Sequence, residues 1–204
     1  MKVTFLGTNG WYNYENHETS CVFIEAKKVN LIFDLGSGIK NLNKINFTKK
    51  PTYLFLSHLH LDHIIGTHYL SSIKKLPNLE IILNKNYYKS FKKIFSEPYT
   101  LKYTKYKNRI KILTFNEMFN PKLPFHFISK KLNHSDPSYG FKFFLDNKII
   151  SYCTDTKSCE NLFKLSNNSD LLILECNQIK KKNNYHLSFQ EIKKNIRRFN
   201  TKKI

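Results

Sequence analysis

The chain has 204 residues, with 34 Lys and Arg against 15 Asp and Glu, a formal charge of +19. That length allows one good hydrophobic core and is short for two, and no Pro/Gly/Ser-rich stretch divides it, so a single domain over residues 1–204 is expected. No run of 18 apolar residues exists, and Met1–Gly7 is too short for a signal-peptide core, so a cytoplasmic protein with no membrane partner is expected.

Cys21, Cys153, Cys159 and Cys176 form no CxxC pair and no disulfide framework, so buried free thiols are expected, with Cys153 close to a candidate ligand. The positive charge suits an anionic partner, nucleic acid included. Lysines nevertheless spread over the whole chain, as a compositional bias would also make them. The densest basic runs are Lys180-Lys181-Lys182 and Lys193-Lys194 with Arg197-Arg198. No zinc-finger spacing or glycine-clamp loop accompanies them.

In chain order, Val3–Leu6, Cys21–Glu25 and Leu31–Phe33 read as short strands, the last two as a hairpin turning at Asn30. Gly36-Ser37-Gly38 reads as a tight, flexible turn. Tyr53–Ser57 is a buried strand. His63–Ile73 has helical spacing, blocked beyond by Pro77. Glu80–Leu83 returns to strand, Tyr87–Phe95 carries a helical aromatic stripe, and Phe115–Phe119 is a short turn or helix. Phe125–Ser129, Phe141–Leu145 and Ile149–Cys153 are strands, the last two joined by the turn dipeptide Asp146-Asn147. Thr156–Leu165 reads as a helix, Leu171–Glu175 as an apolar strand, and Ser188–Phe199 as a helix capped by Ser188 with Glu191 three residues later. Two sheets with outer helices satisfy this order, as do other α+β layerings.

The chemistry concentrates in Ser57-His58-Leu59-His60-Leu61-Asp62-His63, directly after a buried strand. In extended backbone alternate side chains share a face, so His58, His60 and Asp62 converge, and His63 turns back from the next helix. Four donors in six positions suit a metal pocket. His134, Asp155 and His186 each lie in a loop just past a strand, where functional groups gather. Asp155 also fits as a cap for a helix starting at Thr156. A mixed imidazole and carboxylate set suits divalent transition metals: zinc first, with manganese or iron as alternatives. A pair of such ions lowers the pKa of water and stabilises charge on the attacking and leaving oxygens.

The HxHxDH motif at His58–His63 resembles that of the metallo-β-lactamase superfamily, and the resemblance extends over nearly the whole chain. Gly7-Thr8-Asn9-Gly10 looks like the first glycine-containing loop, and Phe33-Asp34-Leu35-Gly36 like the buried strand and turn, where Asp34 is structural rather than a ligand. His134, Tyr152-Cys153-Thr154-Asp155-Thr156 and His186 match the later ligand motifs in order. The resemblance implies a four-layered αββα sandwich of α+β class. It implies that His58, His60 and His134 hold one metal, that Asp62, His63 and His186 hold the second, and that Asp155 bridges them. Asp62 would also orient the nucleophile or handle its proton.

The "GTxG"-like start and the segment LIFDLGSGIKNL resemble phosphodiesterase-like members, ribonuclease Z and the phosphonate-pathway cyclic phosphodiesterase among them. The implied substrate is an anionic phosphodiester, in a nucleotide or a small phosphodiester. Candidate positioning groups are Asn133, Ser135, Ser138 and Tyr139, with Lys130 and Lys131 able to meet a phosphate. Three alternatives stand beside this reading: tRNA 3′-processing endonuclease, thioester or lactone hydrolase, and a noncatalytic metal-stabilised nucleic-acid-binding protein. Leu174-Glu175-Cys176-Asn177 lacks the histidine that ribonuclease Z carries as its presumed general acid, and the interval from His134 to Asp155 is too short for the tRNA-clamping arm of bacterial forms. Members of the superfamily are often dimers, so a homodimer is part of the expectation.

Overall fold

The computed structural model describes residues 1–204 except 74, 75, 77, 103, 104, 106–108 and 181–184. Pro77, expected to stop a helix, and Lys181 and Lys182 of the basic run lie outside the described residues. The chain forms two compact units, residues 1–121 and 122–204.

Unit 1 is built on a six-stranded sheet in the order β1 (Lys2–Gly7), β2 (Cys21–Glu25), β3 (Asn30–Phe33), β4 (Thr52–Phe55), β5 (Leu79–Asn84) and β6 (Ile110–Phe115). The first three strands are antiparallel, and β3 through β6 run parallel. Parallel strands are covered on both faces, which is why β3 and β4 are buried along their whole length. Leu31, Ile32, Phe33, Leu54 and Phe55 are fully buried, and one core cluster gathers Ile32, Leu54, Ile81, Phe91 and Phe95. Helices α1 (Leu61–Ile64) and α2 (Tyr88–Ile94) follow β4 and β5.

Several expectations change here. Asn30 is not the hairpin turn but the first residue of β3; the turn closes one step earlier, with Ala26 N–H on the Val29 carbonyl at 3.0 Å. The asparagine tolerates burial because its Nδ2 donates to the Thr48 carbonyl at 3.0 Å. The helix expected over His63–Ile73 starts at Leu61 and tightens into a 3-10 segment, Ile65–Tyr69. β6 was not expected, because Lys111 and Thr114 interrupt its apolar run; Phe115 ends it and Asn116–Phe119 is the turn. Gly36 caps the start of a 3-10 segment, Ser37–Lys44, and Gly38 lies inside it, in place of a flexible turn. They serve close approach: a Cβ on Gly36 would stand 2.5 Å from the carbonyl oxygens of both Asp62 and Ser20.

Unit 2 carries a four-stranded sheet in the order β10 (Leu171–Leu174), β9 (Lys148–Cys153), β8 (Tyr139–Leu145) and β7 (His126–Lys131). β7, β8 and β9 form an antiparallel meander, and β10 joins β9 in parallel. Asp146 and Asn147 make the β8–β9 turn with φ of 50° and 59°, the mirror-image turn that matches strand twist. Helix α3 (Glu160–Ser166) buries Leu162, Phe163 and Leu165 with Leu172 and Phe199. It begins four residues later than Thr156, so Asp155 is not its cap. Helix α4 (Phe189–Lys194) has the expected capping box: Ser188 Oγ accepts from Glu191 N–H, and Glu191 Oε2 accepts from Ser188 N–H. Beyond it Arg198 pairs with Glu160 at 2.8 Å and lies 3.8 Å over the Phe163 ring, a packing role for part of the basic run.

Cys21 and Cys153 are buried thiols, and burial pushes both up in pKa; Cys159 is half-buried and Cys176 is exposed, against expectation. Among the described residues, no helix is long and apolar enough to cross a membrane. The α+β class expected from the sequence is the class observed.

Candidate metal-ligand clusters

Unit 1 places its cluster at the carboxyl ends of two neighbouring parallel strands. β3 delivers Asp34 and β4 delivers Ser57 and His58. Asp34 sits at φ 59°, a conformation that asparagine and aspartate tolerate better than most residues. Its N–H donates to the Phe55 carbonyl at 2.9 Å, stitching the two strand ends together. Its carboxylate faces back across the gap: Oδ1 accepts from Ser57 N–H at 2.8 Å, and Oδ2 accepts from Ser57 Oγ at 3.0 Å. Nδ1 of His63 also lies 2.8 Å from Oδ2.

This network sets the tautomers. A carboxylate only accepts, so His63 Nδ1 carries the proton and Nε2 keeps its lone pair. Ser57 spends its proton on Asp34, so its oxygen receives His58 Nδ1–H at 2.9 Å, which leaves His58 Nε2 unprotonated. That nitrogen lies 2.9 Å from His60 Nδ1. Asp62 is nearly buried; its Oδ2 stands 3.4 Å from His63 Nε2 and accepts the backbone N–H of Trp11 at 2.8 Å. His58 and His60 therefore present donor atoms together, as do Asp62 and His63. All four predicted members of this cluster are brought together.

Unit 2 repeats the device with other residues. β9 and β10 are parallel neighbours, with Cys153 paired to Leu174. Asp155 follows β9 at φ 43°, and Glu175 follows β10. Glu175 Oε1 accepts Thr156 N–H, and its Oε2 lies 2.9 Å from His186 Nδ1. Thr154 Oγ1 donates to Asp155 Oδ1 at 2.9 Å. His134 Nδ1 donates to the Tyr185 carbonyl at 3.2 Å, and its Nε2 stands 3.6 Å from Asp155 Oδ2. His186 stands ring to ring with His134 at 4.9 Å. Burial pushes the Glu175 carboxyl up to about 7, opposed by the hydrogen bond from His186 and reinforced by the Asp155 charge.

Several smaller expectations resolve into structure. Ser138 is buried, with its hydroxyl on the Thr154 carbonyl at 3.3 Å and its own carbonyl accepting Leu132 N–H at 2.8 Å. Asn133 binds Thr156 and Lys157 through its backbone. Cys153 belongs to the core with Leu132 and Leu165, not to the cluster. Reading side chains alone missed the parts played by Trp11 and Tyr185, which act through a backbone N–H and a carbonyl. Glu175 was visible as a strand end and through its likeness to a residue of ribonuclease Z, without a role.

A parallel strand pair that ends in His-x-His-x-Asp-His, with a second histidine and aspartate set downstream, defines a metallo-β-lactamase-fold protein. Solved structures bear this out. The Bacillus subtilis metallo-β-lactamase fold protein YhfI is 21% identical, with a TM-score of 0.77 over 98% of this chain and 82% of its own. The short form of human tRNase Z is 18% identical, with a TM-score of 0.68 over 99% of this chain and 90% of its own. In sequence, ribonuclease Z of Haloarcula marismortui is 36% identical over 67 residues, 32% of this chain and 22% of the relative. The chain thus spans about a fifth of that curated relative's length. The family model of the anti-Pycsar protein Apyc1 matches residues 1–203, and the chain belongs to that family.

Proposed function

We propose that this chain is a dinuclear metal-dependent hydrolase of phosphodiester bonds, acting on a nucleotide or small phosphodiester. In this reading residues 1–204 act as one domain. His58, His60 and His134 hold one ion, Asp62, His63 and His186 the other, and Asp155 is shared. The observation that carries it is the state of the imidazoles. His58, His63, His134 and His186 each have Nδ1 held by a hydroxyl, carboxylate or carbonyl, so Nε2 is the ring nitrogen each would turn to a cation. A donor set of imidazoles and carboxylates without thiolate fits zinc first, and manganese or iron after it.

When bound, the two ions supply an activated water at neutral pH and neutralise charge on the phosphoryl oxygens. The protein's own residues do the rest. Asp62 is held by Trp11 N–H through Oδ2, which leaves Oδ1 to hold the proton of the attacking water. Asp34 and Ser57 fix the rings of His58 and His63, so no reorientation is needed during the reaction. The charge of +19 favours an anionic substrate and extends the partner class to nucleic acid. The likeness to ribonuclease Z supports phosphodiester chemistry and makes precursor tRNA one arm of the test.

The test is metal analysis with a substrate panel: bis(p-nitrophenyl) phosphate, cyclic nucleotides and precursor tRNA against thioesters and lactones. About two transition metals per chain and turnover of a phosphodiester are expected, lost in His60→Ala with the fold retained. Turnover of thioesters or lactones alone would assign a different reaction to the same ligands. Absence of bound metal with salt-sensitive RNA binding would make the chain a binding protein.

A further inference from the structure

The loop after β1 carries three aromatic side chains that the proposed chemistry does not use. Trp11 is 77% exposed, Tyr12 65% and Tyr14 61%. Exposed large rings of this kind cost hydrophobic free energy unless something covers them. The loop is nonetheless firmly built. Asn9 N–H donates to the Glu18 carbonyl at 2.9 Å, and Tyr14 and His17 bridge each other. Asn13 binds Glu18 through Nδ2 at 2.9 Å and accepts from Ser37 Oγ at 2.7 Å. Trp11 itself sits at φ 68°, an uncommon and strained conformation for a bulky residue. That strain accompanies the bond from Trp11 N–H to Asp62 Oδ2 at 2.8 Å. One residue thus joins the aromatic loop to a proposed metal ligand.

We infer that the Trp11 loop is a stacking platform for the base of a nucleotide substrate, with Trp11 as its principal ring and Tyr12 beside it. This rests on the phosphodiesterase reading, and it adds the group that holds the base of a nucleotide substrate. A phosphodiester reacting beside Asp62 brings its own substituent to the residue bonded to Asp62. An indole face takes any base, at about 1–3 kcal/mol per stacked base. Substrates without a base gain nothing from it.

Trp11 is the one tryptophan in the sequence, so its fluorescence reports on the loop alone. Titrating the wild-type protein with nucleoside monophosphates is expected to quench it, with ribose 5-phosphate as the base-free control and free tryptophan amide correcting for absorption. In kinetics, Trp11→Ala keeps the backbone N–H but removes the ring. The preference for a cyclic nucleotide over cyclic glycerol phosphate, as a ratio of kcat/KM, is expected to fall roughly 5- to 100-fold, mainly through KM, and Trp11→Phe to restore part of it. Quenching without any hydrolysis would sink the catalytic reading and leave the platform standing. Hydrolysis with equal quenching by ribose 5-phosphate, or an unchanged preference in Trp11→Ala, overturns the platform. Fluorescence that follows protein concentration rather than nucleotide would assign the loop to contact between copies and also overturns it.

Discussion

Asp34 Oδ2 lies 2.8 Å from Nδ1 of His63, with both side chains buried and twenty-nine residues apart in sequence. The same oxygen receives the Ser57 hydroxyl that in turn holds His58. One carboxylate outside the donor set therefore fixes two imidazoles.

Removing that carboxylate is expected to cost metal affinity before it costs the fold. Asp34→Asn keeps the shape and tolerates φ 59°, but its amide cannot accept at both positions and carry the negative charge. Metal affinity is expected to fall about 10- to 100-fold, read by competition with a chromophoric chelator. Asp34→Ala also strands the Ser57 N–H and hydroxyl, at about 1–3 kcal/mol for each unsatisfied group, read by urea unfolding. Equal affinity in Asp34→Asn would mean that ring orientation is set elsewhere.

The glycines at the edge of this cluster make a second prediction. A Cβ on Gly36 meets the Asp62 and Ser20 carbonyl oxygens at 2.5 Å, and one on Gly66 meets the Gly36 carbonyl oxygen at 2.4 Å. These are backbone atoms, so nothing soft can yield. Gly36→Ala is expected to destabilise by about 1–3 kcal/mol or more and to lower metal occupancy by shifting the Asp62 segment. Thermal unfolding and metal content together check it. A loss of stability with full occupancy would separate packing from the cluster.

Much of this arrangement was legible in the sequence because its signal is carried by side chains at short range. Four donors within His58–His63 announce themselves, and so does Ser188 with Glu191. The parallel strands β3 and β4 were legible as continuous apolar runs. Asn30 misled because asparagine favours turns, whereas here burial and a partner at Thr48 overrule that preference. β6 stayed hidden because Lys111 and Thr114 break its apolar pattern, and pairing with β5 supplies what local preference does not. Trp11 N–H and the Tyr185 carbonyl leave no mark in any side-chain pattern.

The β8–β9 turn offers a stabilising change away from the clusters. Asp146 and Asn147 both hold positive φ, and Asn147 at 59° pays a steric cost that glycine does not. Asn147→Gly is expected to leave stability equal or to raise it by up to about 1 kcal/mol, with metal content unchanged. Urea midpoints at constant slope measure it. A clear loss would mean that the asparagine side chain contributes contacts beyond the turn.

Glu175 supplies a pH dependence. Burial holds its carboxyl up at about 7 in the folded chain, opposed by His186, while an unfolded glutamate titrates near about 4.3. Between those values the folded protein keeps a proton that the unfolded chain has released. Stability from this group therefore falls as pH rises through that window, and the cost is fully present above about 7. Glu175→Gln cannot ionise, so it escapes the cost, although it loses the negative acceptor for His186 Nδ1–H. In metal-free protein, the stability difference between Glu175→Gln and wild type is expected to drift in favour of the variant from pH 5 to pH 7. Urea unfolding in chelator at half-unit steps reads the drift. A difference that stays flat over that range would place the Glu175 titration at its ordinary value and leave His186 paired with a carboxylate that is already charged at pH 5.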